Sequence, residues 1–247
     1  MSRRLRALAR VAHAVGHGLH GLAIVLFSFP SLSRAQRHER IRWWSKKMLA
    51  VLGIAFECDG APLRQPSLLV VNHVSWLDIM AVHAVVPEAR FVSKADVKSW
   101  PLVGRLVDAA GTLYLERERK RDALRVVHAV AEALAAGAVV AIFPEGTTST
   151  GHGLLPFHAN LLQAAIATAT PVQPVALRFA DASHAVSEAV EFIGDTGLLS
   201  SLWRVSCGEA VCVRLTFLPP RASAGVERRA LAGLLRGDIA AALGAPA

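Results

Sequence analysis

From residue 53 onward, short apolar runs rich in β-branched residues alternate with stretches whose apolar residues recur every three or four positions. The first pattern is typical of buried β-strands and the second of amphipathic helices. Alternation of this kind predicts an α/β fold, with a mixed, mostly parallel sheet flanked by helices. The predicted strands are Ile54–Cys58, Leu68–Val71, Phe91–Ser93, Leu113–Leu115, Val139–Phe143, Val172–Phe179 and Val211–Leu218.

The predicted helices lie between these strands, and the clearest of them is Arg121–Ala136. Its apolar residues follow the helical period, and Gly137 comes directly after its last turn. The stretch 181–208 has no clear period, and we predict an irregular segment there. The other predicted helices are Asp78–Val86, Pro101–Ala110, Pro156–Ala169 and Val226–Leu243.

The positive charge of the chain is concentrated at its N-terminal end. The formal net charge is +8, but residues 1–47 hold ten Lys or Arg residues and one acid. The remaining 200 residues carry 17 basic and 18 acidic side chains. Nucleic-acid-binding proteins more often spread basic residues over the folded surface, so the distribution argues against a nucleic-acid partner.

The same N-terminal segment is apolar enough to meet a membrane. Residues 11–30 have the length of a membrane span, although three His and three Gly fall within 13–21. Trp43 and Trp44 lie among cations, a composition suited to lipid headgroups. We therefore predict membrane-associating helices over 1–52, on the cytoplasmic face of the cell inner membrane, followed by an α/β domain over 53–247. A single N-terminal span, a signal peptide and two ordinary helices packed on the domain are the alternatives.

The cysteines indicate neither a disulfide framework nor a zinc site. The sequence has three, Cys58, Cys207 and Cys212, without the C-x-x-C spacing that metal sites favour. We predict free thiols and no bound metal. Free thiols are typical of a reducing compartment.

Three of the predicted strands end in polar residues, and ligands of open α/β sheets bind beyond such carboxyl ends. At the first of them, Asn72 and His73 follow the strand 68–71, and Asp78 comes five positions after the imidazole. An imidazole is a suitable general base at neutral pH, and a bonded carboxylate fixes its tautomer. A turn over 74–77 would bring the two together. In the plainer alternative, Asp78 is a helix N-cap and His73 a core histidine.

Ser75 lies between these two residues, which raises the alternative of a serine ester hydrolase. The sequence contains no G-x-S-x-G motif, and Ser75 is too close along the chain to His73 for an obvious nucleophile geometry. A basic membrane-surface protein without catalytic activity is a second alternative, and it would not need His73.

The other two polar strand ends offer groups that could hold a substrate. Gly111 allows a tight turn into 113–115, and Arg117 follows that strand, where a guanidinium could bind a phosphate through two hydrogen bonds. After 139–143, a turn carries Glu145 among Gly146 and neighbouring hydroxyl residues, a loop able to orient a polyol or a phosphate. Taken singly, each motif also fits a solvated charge run or an ordinary loop.

Four sequence blocks, taken together and in order, resemble the glycerolipid acyltransferase family, which includes bacterial 1-acylglycerol-3-phosphate acyltransferases. The N-H-x4-D block of that family corresponds to NHVSWLD at 72–78, and its G-x-x-F-x-x-R block to GTLYLER at 111–117, with Tyr114 in place of Phe. The F-P-E-G-T-x-S block corresponds to FPEGTTS at 143–149, and a short block around a proline to VQPVAL at 172–177. The resemblance covers roughly residues 40–220.

This resemblance implies direct transfer of a fatty acyl group from a thioester to a lysolipid hydroxyl, with 1-acylglycerol-3-phosphate converted to phosphatidate. It makes His73 and Asp78 the catalytic pair, with His73 taking the hydroxyl proton. The donor would be acyl-CoA or acyl carrier protein, and no cofactor or metal is required. The residues it assigns to substrates are Gly111, Arg117, Glu145, Gly146, Thr147 and Pro174.

The chain departs from the family pattern at Thr148, where the third block often carries Arg. Loss of that cation weakens the case for a strongly anionic acceptor. A lysolipid with another headgroup, such as a lyso-ornithine lipid, is therefore the alternative acceptor.

Overall fold

The computed structural model describes residues 2–115 and 120–245, and it has the mixed α/β architecture that the sequence predicts. Within these residues, seven strands form one sheet, and helices cover its two faces. The helices are α1 (Arg3–Ala23), α2 (Arg34–Val51), α3 (Leu77–His83), α4 (Val103–Ala109), α5 (Lys120–Ala135), α6 (Leu162–Ala167), α7 (Leu198–Cys207) and α8 (Arg228–Leu243). The strands are β1 (Ala55–Asp59), β2 (Ser67–Val71), β3 (Arg90–Lys94), β4 (Leu113–Leu115), β5 (Val139–Ile142), β6 (Val172–Ala180) and β7 (Cys212–Phe217).

The strands lie in the order β1-β7-β6-β2-β5-β3-β4. Neighbouring strands are parallel except β6 and β7, so β1 and β7 run against the other five. Every residue of β2 and of β5 is buried. Their sequences are almost continuously apolar because both faces of a mostly parallel sheet are covered by helices.

The register of the central strands determines where polar residues can meet. Val70 of β2 is opposite Ile142 of β5, and Val71 is opposite Val175 of β6. The carboxyl ends of β2 and β5 therefore lie side by side. Whatever follows residues 71 and 142 is brought to the same edge of the sheet.

The N-terminal segment forms the predicted pair of helices, and both pack on the α/β domain. α1 continues through a π-helical turn, Ile24–Ser28, into a short 3-10 turn. A capping box between Ser33 and Gln36 begins α2, an arrangement that typically stabilises a helix by about 1 kcal/mol. α1 lies against α7 and α2 lies against α3. Met48 and Leu49 of α2 belong to the same apolar core as β2 and β7, so segments 1–52 and 53–247 share one core.

Some of the N-terminal arginines form hydrogen bonds within the protein. Arg10 donates hydrogen bonds to the carbonyls of Ser206 and Gly208, and Arg3 donates to the carbonyl of Cys207. These carbonyls lie at the C-terminal end of α7, where the helix dipole favours cations. The arginines therefore fix α1 to α7, a contact that the charge count alone does not reveal.

Two predictions for the α/β domain are wrong in detail. The stretch 181–208, predicted to be irregular, contains α7 over Leu198–Cys207. The helix predicted over Pro156–Ala169 is reduced to a 3-10 turn and the six-residue α6. The segment before α6 stays non-helical, and the N–H of His158 donates to the carbonyl of Pro144 instead of to its own turn.

Candidate active site

The imidazole of His73 and the carboxylate of Asp78 are in contact, as the sequence predicts. The distance between Nδ1 of His73 and Oδ2 of Asp78 is 2.7 Å. His73 is the second residue after β2, and Asp78 lies in the first turn of α3, so the short turn between them folds the carboxylate back onto the ring. A hydrogen bond of this kind holds the Nδ1–H tautomer and supports positive charge on the imidazole.

The Asp78 carboxylate is fully buried, and it closes the turn rather than capping α3. Oδ2 also accepts hydrogen bonds from the backbone N–H groups of Val74, at 2.7 Å, and Ser75, at 3.0 Å. The N-cap position of α3 is occupied by Trp76, so the N-cap alternative for Asp78 is wrong. Burial of a carboxylate is costly unless it is hydrogen-bonded. Three donors bond Oδ2, whereas the buried Oδ1 makes no hydrogen bond to a described residue.

The second ring nitrogen of His73 remains available for chemistry. The side chain is 18% exposed, and Nε2 makes no hydrogen bond to any residue that the structure describes. The ring lies flat on Phe143, with 3.8 Å between ring centroids and 9° between planes. Phe143, the first residue after β5, fixes the plane of the imidazole, a role that the sequence pattern did not assign to it.

The hydroxyl of Ser75 lies on the inside of the turn. The residue is fully buried, and its Oγ makes no hydrogen bond to a described residue, His73 included. A serine nucleophile must be reached by a substrate and activated by a base within hydrogen-bond distance. Ser75 meets neither condition, so the geometry speaks against the serine hydrolase alternative.

The loop after β5 holds the main chain of His73. Oε1 of Glu145 accepts the His73 N–H at 2.7 Å, and Oε2 accepts the Leu155 N–H at 2.9 Å. From the other side, the N–H of Ser149 donates to the His73 carbonyl at 2.8 Å. Glu145 is 3% exposed, and burial raises the pKa of its carboxyl, an effect that the two amide hydrogen bonds partly oppose. Sequence reasoning found Glu145 but not its partners, which are backbone N–H groups 72 and 10 residues away along the chain.

Two glycines assigned to substrates occupy turns that favour glycine. Gly146 has a φ of +69° beside Glu145, and Gly111 has a φ of +75° just before β4. Side chains are strained in this region of backbone space. The turn predicted at Gly111 is confirmed, and its carbonyl accepts a hydrogen bond from Arg90 Nε at 2.8 Å.

The other residues assigned to substrates differ in their exposure to solvent and in their position in the fold. Thr147 is exposed on the loop after β5, while Pro174 is buried in β6 opposite Val70. Arg117 lies outside the described residues, although β4, the strand before it, ends at the same edge of the sheet as β5. Thr148, which stands where the family often has Arg, donates its hydroxyl to the carbonyl of Phe192.

At the carboxyl edge of the sheet, one nitrogen of this histidine is bonded to a buried carboxylate and the other bonds no described residue, which is the arrangement that general-base catalysis requires. The chain belongs to the acyltransferase family: the family model described as Acyltransferase matches residues 55–178. That match includes His73, Asp78 and the loop around Glu145.

Several characterised proteins are similar to nearly the whole chain. A lyso-ornithine lipid O-acyltransferase of Pseudomonas aeruginosa is 38% identical, over 93% of this chain and 90% of the relative. A 1-acyl-sn-glycerol-3-phosphate acyltransferase of Neisseria meningitidis is 36% identical, over 87% of this chain and 83% of the relative. The crystal structure of the 1-acyl-sn-glycerophosphate acyltransferase of Thermotoga maritima has the same fold, with a TM-score of 0.75, 21% identity and coverage of 98% and 97% of the two chains.

Proposed function

We propose that this protein is an O-acyltransferase that moves a fatty acyl group from acyl-CoA or acyl carrier protein to the free hydroxyl of a lysolipid. The observation that carries the proposal is the 2.7 Å contact between His73 Nδ1 and Asp78 Oδ2, with Nε2 making no hydrogen bond to a described residue. Membership of the acyltransferase family selects acyl transfer among the reactions that a general base can serve.

In the proposed reaction, Nε2 of His73 takes the proton of the lysolipid hydroxyl while its oxygen attacks the thioester carbonyl. The new C–O bond forms, the C–S bond breaks, and the proton on the imidazolium passes to the leaving thiolate. Asp78 supports the positive charge that the ring carries between these steps. The products are the diacylated lipid and the free thiol of the donor, with no acyl-enzyme and no resident cofactor or metal.

The first acceptor that we propose is 1-acylglycerol-3-phosphate, with phosphatidate as product. Arg117 stands at the arginine of the family's second block, and a guanidinium is well suited to bind a phosphate through two hydrogen bonds. The relative from Neisseria meningitidis carries the name of this activity. We assign the turns at Gly111 and Gly146, with Thr147, to the acceptor pocket, and Pro174 to the donor side.

A lyso-ornithine lipid is the second candidate acceptor, and Thr148 favours it. Thr148 brings no positive charge to the loop after β5, and its hydroxyl is bonded to the Phe192 carbonyl. A phosphate monoester would therefore lack one cation that the family often supplies. The relative from Pseudomonas aeruginosa, named for this acceptor, matches the larger share of the chain.

A panel of acceptors tests these two proposals. The purified full chain in phospholipid vesicles is given radiolabelled acyl-CoA with lysophosphatidate, lyso-ornithine lipid, lysophosphatidylethanolamine or lysophosphatidylglycerol. We expect labelled phosphatidate as the dominant product, whereas dominant labelled ornithine lipid would establish the second candidate. Label in none of the diacyl products, with acyl carrier protein as donor as well, would contradict the proposed function.

We further propose that α1 and α2 hold the enzyme on the cytoplasmic face of the inner membrane. Among the described residues, the helical run Arg3–Ser31 is long and apolar enough to cross a bilayer, but α1 is packed along α7. α7 is only ten residues long, and most of the apolar run Arg3–Ser31 is not buried. A helix fixed to the domain on one side and open on the other favours a position along the leaflet over one crossing it. Large apolar side chains face outward, since Phe27 in the π-helical turn between the two helices is 81% exposed and Trp43 in the middle of α2 is 42% exposed.

Replacing Phe27 with Glu is expected to weaken vesicle binding about tenfold or more. Insertion of a buried Phe side chain contributes about 1.5–3 kcal/mol, and a charge in its place would oppose insertion. Cosedimentation with anionic phosphatidylglycerol vesicles measures the change. The matched control is Leu234→Glu, because Leu234 is an exposed apolar residue on α8, 52% accessible. Equal binding by both variants would contradict the proposed contact.

A further inference from the structure

The buried carboxylate of Glu145 is arranged to hold backbone rather than substrate. Its two oxygens each accept one backbone N–H, from His73 at 2.7 Å and from Leu155 at 2.9 Å. With 3% of its surface exposed, Glu145 offers little to a lipid hydroxyl. This placement differs from the substrate-binding role that the family resemblance implies.

The two amides that Glu145 joins belong to separate segments of the chain. His73 begins the turn after β2, whereas Leu155 lies at the far end of the segment that follows β5. The main chain of His73 is held on both sides, since Ser149 donates to its carbonyl through both N–H, at 2.8 Å, and Oγ, at 3.2 Å. The position of the imidazole is therefore tied to the loop after β5.

An arginine on α8 holds the outer end of the same arrangement. Nη2 of Arg236 donates to the Leu154 carbonyl at 2.7 Å, and Nε donates to the Leu155 carbonyl at 3.2 Å. Leu155 is thus bonded through its carbonyl to α8 and through its N–H to Glu145. A continuous path of hydrogen bonds connects α8 to the backbone of His73.

We propose that Glu145 is a positioning residue for His73, and that Arg236 anchors it through residues 154 and 155. The inference rests on the proposed function for its kinetic consequence. A carboxylate is suited to this task because it is an acceptor at both oxygens, and its hydrogen bonds to N–H groups are stronger than neutral ones. Displacement of a catalytic group by about 1 Å can cost on the order of a hundredfold in rate.

The variant Glu145→Gln tests the role of Glu145 at nearly constant shape. One side-chain oxygen becomes an NH2 group, which cannot accept an N–H, so one of the two hydrogen bonds is lost. We expect kcat to fall about 10- to 100-fold, while KM for the lysolipid stays within about twofold. Backbone hydrogen exchange in a peptide over 70–80 or in one over 150–158 should quicken. The control is Glu188→Gln, an exposed carboxylate, for which neither quantity should change.

The variant Arg236→Met tests the outer anchor separately. We expect kcat to fall several-fold, less than in Glu145→Gln, with faster exchange over 150–158 and an unchanged KM for the lysolipid. Arg229→Met is the matched control. Arg229 lies two turns earlier on α8, and its guanidinium makes no hydrogen bond to any described residue.

These measurements separate the positioning role from its rivals. An increase in KM for the lysolipid at unchanged kcat in Glu145→Gln would show substrate contact and overturn the proposal, as would unchanged exchange in both peptides. Hydrogen exchange does not depend on which reaction the protein catalyses. If the wild-type chain were inactive toward every lysolipid, the proposed function would be contradicted. Hydrogen exchange in the variants would still show whether Glu145 holds the two backbone segments together.

Discussion

Replacing His73 with Ala is expected to reduce acyl transfer by about 10²–10⁴-fold, the contribution typical of a general base. The lysolipid hydroxyl would then lose its proton acceptor, because Nδ1 of His73 is bonded to Asp78 and only Nε2 makes no hydrogen bond within the described part of the chain. The rate of labelled diacyl lipid formation at saturating acyl-CoA measures the effect. KM for the lysolipid should change little, since the lost interaction operates in the transition state.

The matched control for this prediction is His128→Ala. His128 is exposed on α5, away from the turn that holds His73. The control should retain the wild-type rate, and circular dichroism should show that both variants are folded. Wild-type activity in His73→Ala would rule out the proposed mechanism and favour a membrane-surface protein without catalysis, or another active site.

The second large effect is expected for Asp78→Asn, which should lower kcat by about 10²–10⁴-fold. An amide oxygen can still accept the Nδ1–H of His73, but it no longer stabilises positive charge on the ring. In the wild type, Oδ2 of Asp78 also accepts the N–H groups of Val74 and Ser75. Hydrogen bonds to a neutral amide oxygen are weaker than those to a carboxylate, so we expect a loss of thermal stability as well. Steady-state kinetics and thermal unfolding of the same preparation separate the two effects.

The structure supplies a matched control for Asp78 in a second Asp–His pair. Asp181 and His184 are 3.0 Å apart on the surface, where the His184 side chain is 63% exposed. Asp181→Asn should leave kcat unchanged. A kcat for Asp78→Asn within threefold of wild type would mean that the carboxylate does not support His73 in the reaction.

The sheet could be predicted from sequence because its central strands are continuous apolar runs. β2 and β5 are fully buried, so nearly every residue in them is apolar and the runs end abruptly at Asn72 and Pro144. α5 was also clear, since one face packs on the core and the apolar residues repeat with the helical period. α7 was missed because it is only ten residues long and buries Ser201 and Ser206, which weaken its apolar pattern.

The candidate site was predictable only where its partners are close along the chain. The contact between His73 and Asp78 spans five residues, and the turn between them can be inferred from the motif. Glu145 bonds the backbone of His73 across 72 residues, and every residue type except proline offers the same N–H group. The sequence therefore indicates that Glu145 is a candidate site residue, but it does not indicate which groups its carboxylate binds.

The arginine contacts between α1 and α7 have a consequence for how the enzyme would work at a bilayer. If the outward face of the N-terminal helices rests on the lipid, the catalytic domain cannot swing on a flexible tether, since both helices share its core. The height of the imidazole above the membrane is then a fixed dimension of the molecule. Acceptors would be sorted by how far their hydroxyl rises from the lipid surface, a kind of selection that headgroup chemistry alone does not provide.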